Sequence, residues 1–296
     1  MKLFEYATPT TVDDAVKQLA DLGPSARVLA GGTDLLVQMR AGRFELDRVV
    51  DAKNIPELTG ISFDPGAGLS LGAAVPCYQI YTDAQVTSNY PALVDSTTII
   101  GGIQIQGRAS VGGNLCNSSP SGDTLPTLIA LGASCLIAGP GGQRTVAAEE
   151  FCTGPGSNVL EDGEILVSLN FAAPAANTGA HFLRFIPRNE MDIAIVNAGA
   201  WVELDGSQDT IVSARIGLGA VAPIPLFVEE AGQAIAGKPA TEDTIQEAAS
   251  VAKDAARPIN DMRGTIEQRK HLSAVMVARA LRGAIRRAKG EMVNGH

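Results

Sequence analysis

Two segments constrain this chain more than any others. Val28-Leu29-Ala30-Gly31-Gly32-Thr33-Asp34-Leu35 and Ser110-Val111-Gly112-Gly113-Asn114-Leu115 each set a glycine pair among small or polar residues, between apolar flanks. Glycine pairs permit positive φ and let a ligand lie against bare backbone. Successive N–H groups exposed in this way form a concave anion site, and a helix start adds a favourable dipole. Thr33, Ser110 and Asn114 add side-chain donors. Two such loops, about eighty residues apart, suit a ligand with two phosphates held between two small domains. Each loop alone reads equally as a tight turn, in a chain with 32 glycines. Neither is a G-x-G-x-x-G fingerprint or a P-loop with its lysine, so a Rossmann or kinase-type site is not indicated. Spacing therefore reaches a phosphate-bearing ligand, with a dinucleotide among the candidates, and stops there.

The rest of the composition narrows the class. At roughly 100–200 residues per domain, a 296-residue chain holds two or three domains. Hydrophobic residues at 45% and charged residues at 19% are those of a globular protein. A net charge of −9 opposes binding to nucleic-acid phosphates. No run of eighteen apolar residues is present to span a membrane, and Met1-Lys2-Leu3-Phe4-Glu5 does not open a secretory signal. The expectation is a soluble, cytoplasmic protein. Cys77, Cys116, Cys135 and Cys152 match no zinc or iron–sulfur spacing and are expected to be reduced and mostly buried. His181, His271 and His296 are too scattered for a metal site, and no G-x-S-x-G elbow supports a serine nucleophile.

Along the chain, Val12, Ala15, Val16, Leu19 and Leu22 fall at helical spacing, stopped by Gly23-Pro24. Strands are expected at Arg27–Ala30 and Arg48–Asp51, with a helix from Leu35, which makes residues 1–57 a small αβ unit. Residues 58–176 read as strands near 69–71, 134–138 and 164–171. Helices are expected over 91–99 and 125–131, around a glycine-, serine- and asparagine-rich stretch at 101–122. Residues 177–296 read as three antiparallel strands, 182–185, 194–204 and 211–221, followed by helices over 242–256 and 265–289. The class is α+β in three parts, without the alternating βαβ pattern of a doubly wound sheet. Residues 257–289 hold nine basic and two acidic side chains. Arg279, Arg282, Arg286, Arg287 and Lys289 read either as a solvated helix face or as a docking surface for an acidic partner.

Ala30-Gly31-Gly32-Thr33-Asp34-Leu35 resembles the first flavin loop of the medium, FAD-binding subunits of molybdenum hydroxylases. Ser110-Val111-Gly112-Gly113-Asn114 resembles their second loop, usually T-I-G-G-N, and Ser119-Pro120-Ser121-Gly122-Asp123 resembles their A-S-P-x-x-D. The similarity runs from Phe4 to about Leu281. It implies a two-part FAD-binding module of the vanillyl-alcohol-oxidase (PCMH) type and a C-terminal α+β domain with a three-stranded antiparallel sheet that covers the ring region. By position, the backbone of Leu29 to Leu35 and of Ser110 to Asn114 would hold the pyrophosphate. Asp123 would take ribose hydroxyls on the adenosine side, or N-cap the helix that follows it. Ile100-Gly101 would pack near the cofactor, and Leu166 beside the flavin. Arg184 falls where many members carry lysine near the ring; there it would stabilise reduced flavin, or be a simple surface arginine. Gln106 stands near where many relatives have arginine.

The resemblance further implies the electron-transfer subunit of a three-part enzyme. A large molybdopterin subunit and a small subunit with two [2Fe–2S] clusters would be its partners, in a dimer of heterotrimers. FAD would pass electrons to NAD or a quinone-like acceptor, with no catalytic acid or base required of this chain. Two other readings stand beside it. One is a self-sufficient flavin oxidase or dehydrogenase, for which His181 is the histidine near the ring-side segment. The other is a non-catalytic nucleotide-binding scaffold.

Overall fold

The computed structural model describes residues 2–295. Three sheets carry the chain. In the first, β1 (Glu5–Ala7), β2 (Ala26–Leu29) and β3 (Arg48–Asp51) are parallel in the order β1-β3-β2. Helix Val12–Ala20 joins β1 to β2, its N-terminus capped by Thr11, whose side chain accepts from the Asp14 N–H. Helix Leu35–Arg40 lies between β2 and β3. The opening segment is thus a miniature β-α-β-α-β run, the small αβ unit expected over residues 1–57 with β1 added ahead of its first helix. With only three residues, β1 carries too little periodicity to be seen.

The second sheet is antiparallel in the order β4 (Ile61–Asp64), β5 (Gly68–Gly72), β10 (Ile165–Phe171), β6 (Ser134–Gly139), β7 (Gly142–Ala147). A short ribbon, β8 (Cys152–Gly154) with β9 (Ser157–Asn158), stands apart. Central β10 is buried on both faces. Ile165 and Val167 pack on Val16, Leu19 and Leu58. Leu166, Leu169 and Phe171 pack into the core built with Leu71, Leu93, Leu115 and Leu128. A register irregularity between Leu166 and Ser168 lies in the pairing with β6. This strand therefore fastens the first sheet's helix to the second.

The third sheet is an antiparallel meander of β11 (Thr178–Phe185), β12 (Val196–Leu204), β13 (Ile211–Gly219) and short β14 (Leu226–Phe227). Helices Glu242–Ala255 and Ile266–Ala288 complete its core with Val202, Ile216, Ala248, Val277 and Leu281. Glycine lets this sheet close on helix Leu125–Ala130. A Cβ at Gly199 or Gly217 would lie 2.5 Å from the Pro126 carbonyl oxygen. The basic terminal helix is largely paired within the chain: Arg282 with Glu242, Arg286 with Glu291 at 2.7 Å, and Arg287 with Asp95 at 2.6 Å. Arg287 and Asp95 are buried at 8% and 4% exposure, so Arg287 belongs to neither a solvated face nor a docking surface. It is an internal anchor between the third sheet's helix and helix Pro91–Thr97.

Candidate functional site

A cleft of about 350 Å³ opens between the first and second sheets, and both glycine loops line it. The first loop leaves β2 at Leu29, and Gly32 turns it with φ +74°. The Gly32 carbonyl then accepts from the Leu36 N–H as helix Leu35–Arg40 begins. Gly31 is required by close approach: a Cβ there would fall 2.0 Å from the Arg108 carbonyl oxygen. The first loop therefore rests on the backbone that leads directly into the second. Among the described residues no protein acceptor takes the N–H groups of residues 31–35.

The second loop is the start of a helix, Val111–Asn117, with Ser110 as N-cap and its hydroxyl accepting from the Gly113 N–H at 3.0 Å. Gly113 has ordinary helical backbone, and that N–H is occupied by the cap. Its contribution to the cleft is the missing side chain. Gly112 lies against Ala73, where a Cβ would sit 2.4 Å from the carbonyl oxygen. Val111 is buried in the core. The N–H groups of Val111 and Gly112 have no acceptor among the described residues, as expected of a first helical turn. Within the glycine-, serine- and asparagine-rich stretch 101–122 composition hides this helix, because glycine and asparagine are poor helix formers; the Ser110 cap is the local signal of it.

Asn114 ties this loop to the Ser-Pro-x-x-Asp segment, its Oδ1 accepting from the Thr124 hydroxyl at 2.8 Å and from the Thr124 N–H at 3.3 Å. Asp123 does not cap helix Leu125–Ala130; Thr124 is the capping residue and makes no side-chain cap bond. Instead Asp123 Oδ2 accepts from Arg184 on β11 at 2.8 Å. Arg184, 5% exposed, is therefore no surface arginine. Asp123 Oδ1 is buried with no hydrogen-bond partner. Burial pushes the Asp123 carboxyl up to about 6, outweighing the opposing pulls of Arg184 and of the nearby Asn197 side chain. A buried carboxylate oxygen left unpaired is costly, and hydroxyl donors from a ligand would relieve it.

Ile100 lines the cleft, and Gly101 turns the chain beside it with φ +58°. Gln106 holds that turn from below, its Nε2 donating to the Thr98 carbonyl at 2.7 Å and the Ile100 carbonyl at 3.4 Å. Leu166 and Asp34 line the cleft too, and burial raises the Asp34 carboxyl. Asp123 and Arg184, by contrast, form one ion pair beside the second loop, outside the cleft lining. The resemblance places Asp123 and Arg184 at opposite ends of a ligand and Leu166 with Arg184; in the structure Asp123 and Arg184 touch, and Leu166 is the one of the three in the cleft lining.

His181 is packed under the terminal helix, where a Cβ at Gly283 would meet its ring at 2.0 Å, and its Nε2 lies 3.2 Å from the Asn294 carbonyl. It does not line the cleft. All four cysteines are free thiols, and burial drives Cys77, Cys116 and Cys135 up to about 12. Sequence reading missed Arg27, Arg43 and Phe44, which line the cleft from the first sheet's side. Only the alternation that turns Arg27 off β2 beside the first loop could have pointed there. Among the described residues no helix is long and apolar enough to cross a membrane.

Two backbone cradles on one cleft, with a buried carboxylate beside the second, have the geometry a dinucleotide-type cofactor requires. Residues 2–173 match the FAD binding domain in molybdopterin dehydrogenase, and residues 181–284 match the CO dehydrogenase flavoprotein C-terminal domain. The chain therefore belongs to the FAD-binding flavoprotein subunits of the molybdenum hydroxylases, a family of oxidoreductase subunits. It is 32% identical to the xanthine dehydrogenase FAD-binding subunit of Escherichia coli O157:H7, covering 98% of this chain and 100% of that one. It is also 32% identical to the carbon monoxide dehydrogenase medium chain of Hydrogenophaga pseudoflava, covering 95% and 96%. Reconstituted CO dehydrogenase from Oligotropha carboxidovorans has a chain of the same fold, with TM-score 0.91, 30% identity and coverage of 97% and 99%.

Proposed function

We propose that this chain carries FAD as the electron-transfer subunit of a heteromeric molybdenum hydroxylase. A small partner subunit with [2Fe–2S] clusters would deliver electrons taken from substrate at a large molybdopterin subunit, and NAD or a quinone-like acceptor would receive them. The observation that carries the reading is the pairing of two backbone cradles with the orphaned Asp123 oxygen on one chain. When bound, FAD supplies the redox chemistry. The chain's own groups do the rest. Free N–H groups of residues 31–35, with those of Val111 and Gly112, would hold the pyrophosphate. Asp123 Oδ1 would accept cofactor hydroxyls while Arg184 keeps its other oxygen in place. Ile100 and Leu166 would exclude water along the walls. The same reading divides the chain into two FAD-binding parts, 1–57 and 58–176, and a C-terminal part, 177–296. It places the complex in the cytoplasm, as a dimer of heterotrimers.

Cys116 is the cysteine that lines the cleft among the described residues, and burial drives its thiol up to about 12, far from the reactive thiolate, so FAD is expected to be bound without a covalent link. Acid precipitation of the purified chain should release FAD to the supernatant; flavin retained in the pellet, or FMN in its place, defeats the reading. Co-expression with a large molybdopterin subunit and a small [2Fe–2S] subunit of the same complex should return one assembly, and the chain alone should turn over no organic substrate.

The raised Asp123 carboxyl gives a pH signature. Ligand hydroxyls favour the ionised form, so FAD binds best above the free-protein value of about 6 and more weakly as pH falls through it. Asp123→Asn should weaken binding and flatten that profile. A wild-type dissociation constant that stays level across the same range removes Asp123 from cofactor binding.

A further inference from the structure

Helix Leu35–Arg40 continues the first cradle, yet it is a weakly anchored wall of the cleft. Of its six residues Met39 alone is buried, with Leu35 packed partly against the same small core. Leu36 and Val37 are 41% and 65% exposed. Glycines in the left-handed region bound the helix on both sides, Gly32 before it and Gly42, at φ +75°, after it. A Cβ at Gly42 would meet nothing within 4 Å. An element with few buried apolar contacts opens at low cost in free energy, and turns at its two ends absorb the backbone change of a hinge. Two contacts hold this helix and the turn after it to the opposite wall. Gln38 Nε2 donates to Asn117 Oδ1 at 2.9 Å. The Arg43 side chain reaches Gly156, where a Cβ would lie 2.7 Å from Arg43 Nη2. All four residues line the cleft. The opposite wall is itself fastened. Asn117 ends the helix that starts at the second cradle. The Gly156 N–H donates to the Ser118 carbonyl, and Asn158 Nδ2 to the Cys116 carbonyl, each at 2.9 Å.

Resting on the FAD reading above, we propose that helix Leu35–Arg40 is a flap over the cleft and that the Gln38–Asn117 hydrogen bond is its latch. The two helices that carry the latch are the two that continue the glycine cradles, so releasing it lets the cradles part. Gly31, pressed on the Arg108 carbonyl, stays as the pivot. The latch is made by protein groups alone and closes the flap whether or not cofactor is present. Its loss therefore eases opening by the same factor in both states. Uptake and release quicken together, and affinity does not change. A side chain that touched the cofactor would give another pattern, a weaker complex with no faster uptake. Gln38 and Asn117 are thus positioning residues, and what they set is the rate of cofactor exchange.

The test uses the full chain, stripped of flavin to follow FAD uptake by fluorescence quenching and loaded with FAD to follow its release into an excess of a flavin-scavenging apoprotein. Gln38→Ala, Asn117→Ala and the double variant are compared with wild type, with circular dichroism as the check on folding. Each single variant should quicken both uptake and release by about fivefold, the equivalent of about 1 kcal/mol for one neutral hydrogen bond. The double variant should be no faster than either single one, because both remove the same bond. The dissociation constant and the bound-flavin absorption spectrum should match wild type. Unchanged rates in both single variants overturn the proposal. So do effects that multiply in the double variant, which would show two separate roles, and a raised dissociation constant with unchanged uptake, which would make the residue a cofactor contact. Wild-type chain that takes up no FAD, or Gly113→Val chain that keeps it, would instead defeat the underlying cofactor reading.

Discussion

Gly113→Val should give a folded, colourless protein. A Cβ at this position meets nothing within 4 Å except Ser110 Oγ at 2.9 Å, so the valine methyls would project into the cleft. The cost to the fold is confined to the cap: Ser110 Oγ must yield its bond from the Gly113 N–H, worth about 1 kcal/mol. That is small against the roughly 5–15 kcal/mol of a folded protein. The cost to the ligand is larger. Phosphate oxygens must approach donors to about 2.7–3.2 Å, and the valine occupies that space. Each charge-assisted bond contributes about 1.5–3 kcal/mol, and losing two reduces affinity at least a hundredfold, at about 1.4 kcal/mol per tenfold. Flavin content, circular dichroism and thermal midpoint read both halves of this expectation. A yellow variant with normal FAD would put the pyrophosphate elsewhere.

Glycine pairs identify bare backbone, and both loops do line one cleft. The jobs of individual glycines are tertiary. Gly31 is small because Arg108 lies across it, Gly112 because Ala73 does, and Gly113 because the cleft is there. None of these partners is near in sequence except through the fold. Patterned elements were legible: the structure has helix Val12–Ala20, strand Arg48–Asp51, and helices Glu242–Ala255 and Ile266–Ala288 within two residues of their patterns. Short or weakly patterned ones were hidden. β1 has three residues, and Val111–Asn117 contains two glycines and two asparagines. The ion pairs were also hidden. Nothing local distinguishes Arg184, which meets Asp123, or Arg287, which meets Asp95, from Arg286, which faces solvent.

Arg287→Ala and Arg286→Ala, one residue apart on the same helix, should therefore behave differently. Arg286 and Glu291 are 54% and 48% exposed, and a surface pair of this kind contributes about 0–1 kcal/mol. Arg287 is buried, bonds both Asp95 oxygens at 2.6 and 2.9 Å, and donates to the Ala180 carbonyl at 2.7 Å and the Val293 carbonyl at 2.6 Å. Removing it deletes four hydrogen bonds from a buried guanidinium, each worth about 1.5–3 kcal/mol, so the loss exceeds that of the surface pair. The loss should reach the cofactor. Asp95 Oδ2 also accepts from the Phe182 N–H at 3.2 Å, so the anchor fixes β11 two residues before Arg184. If β11 slips, Arg184 leaves Asp123 and the oxygen meant for the cofactor is no longer held. Arg287→Ala should thus unfold at lower urea concentration than Arg286→Ala and also bind FAD more weakly. Equal unfolding midpoints for the two variants would show that Asp95 is stabilised by other partners. A destabilised Arg287→Ala with wild-type FAD affinity would show that β11 keeps its register without the anchor.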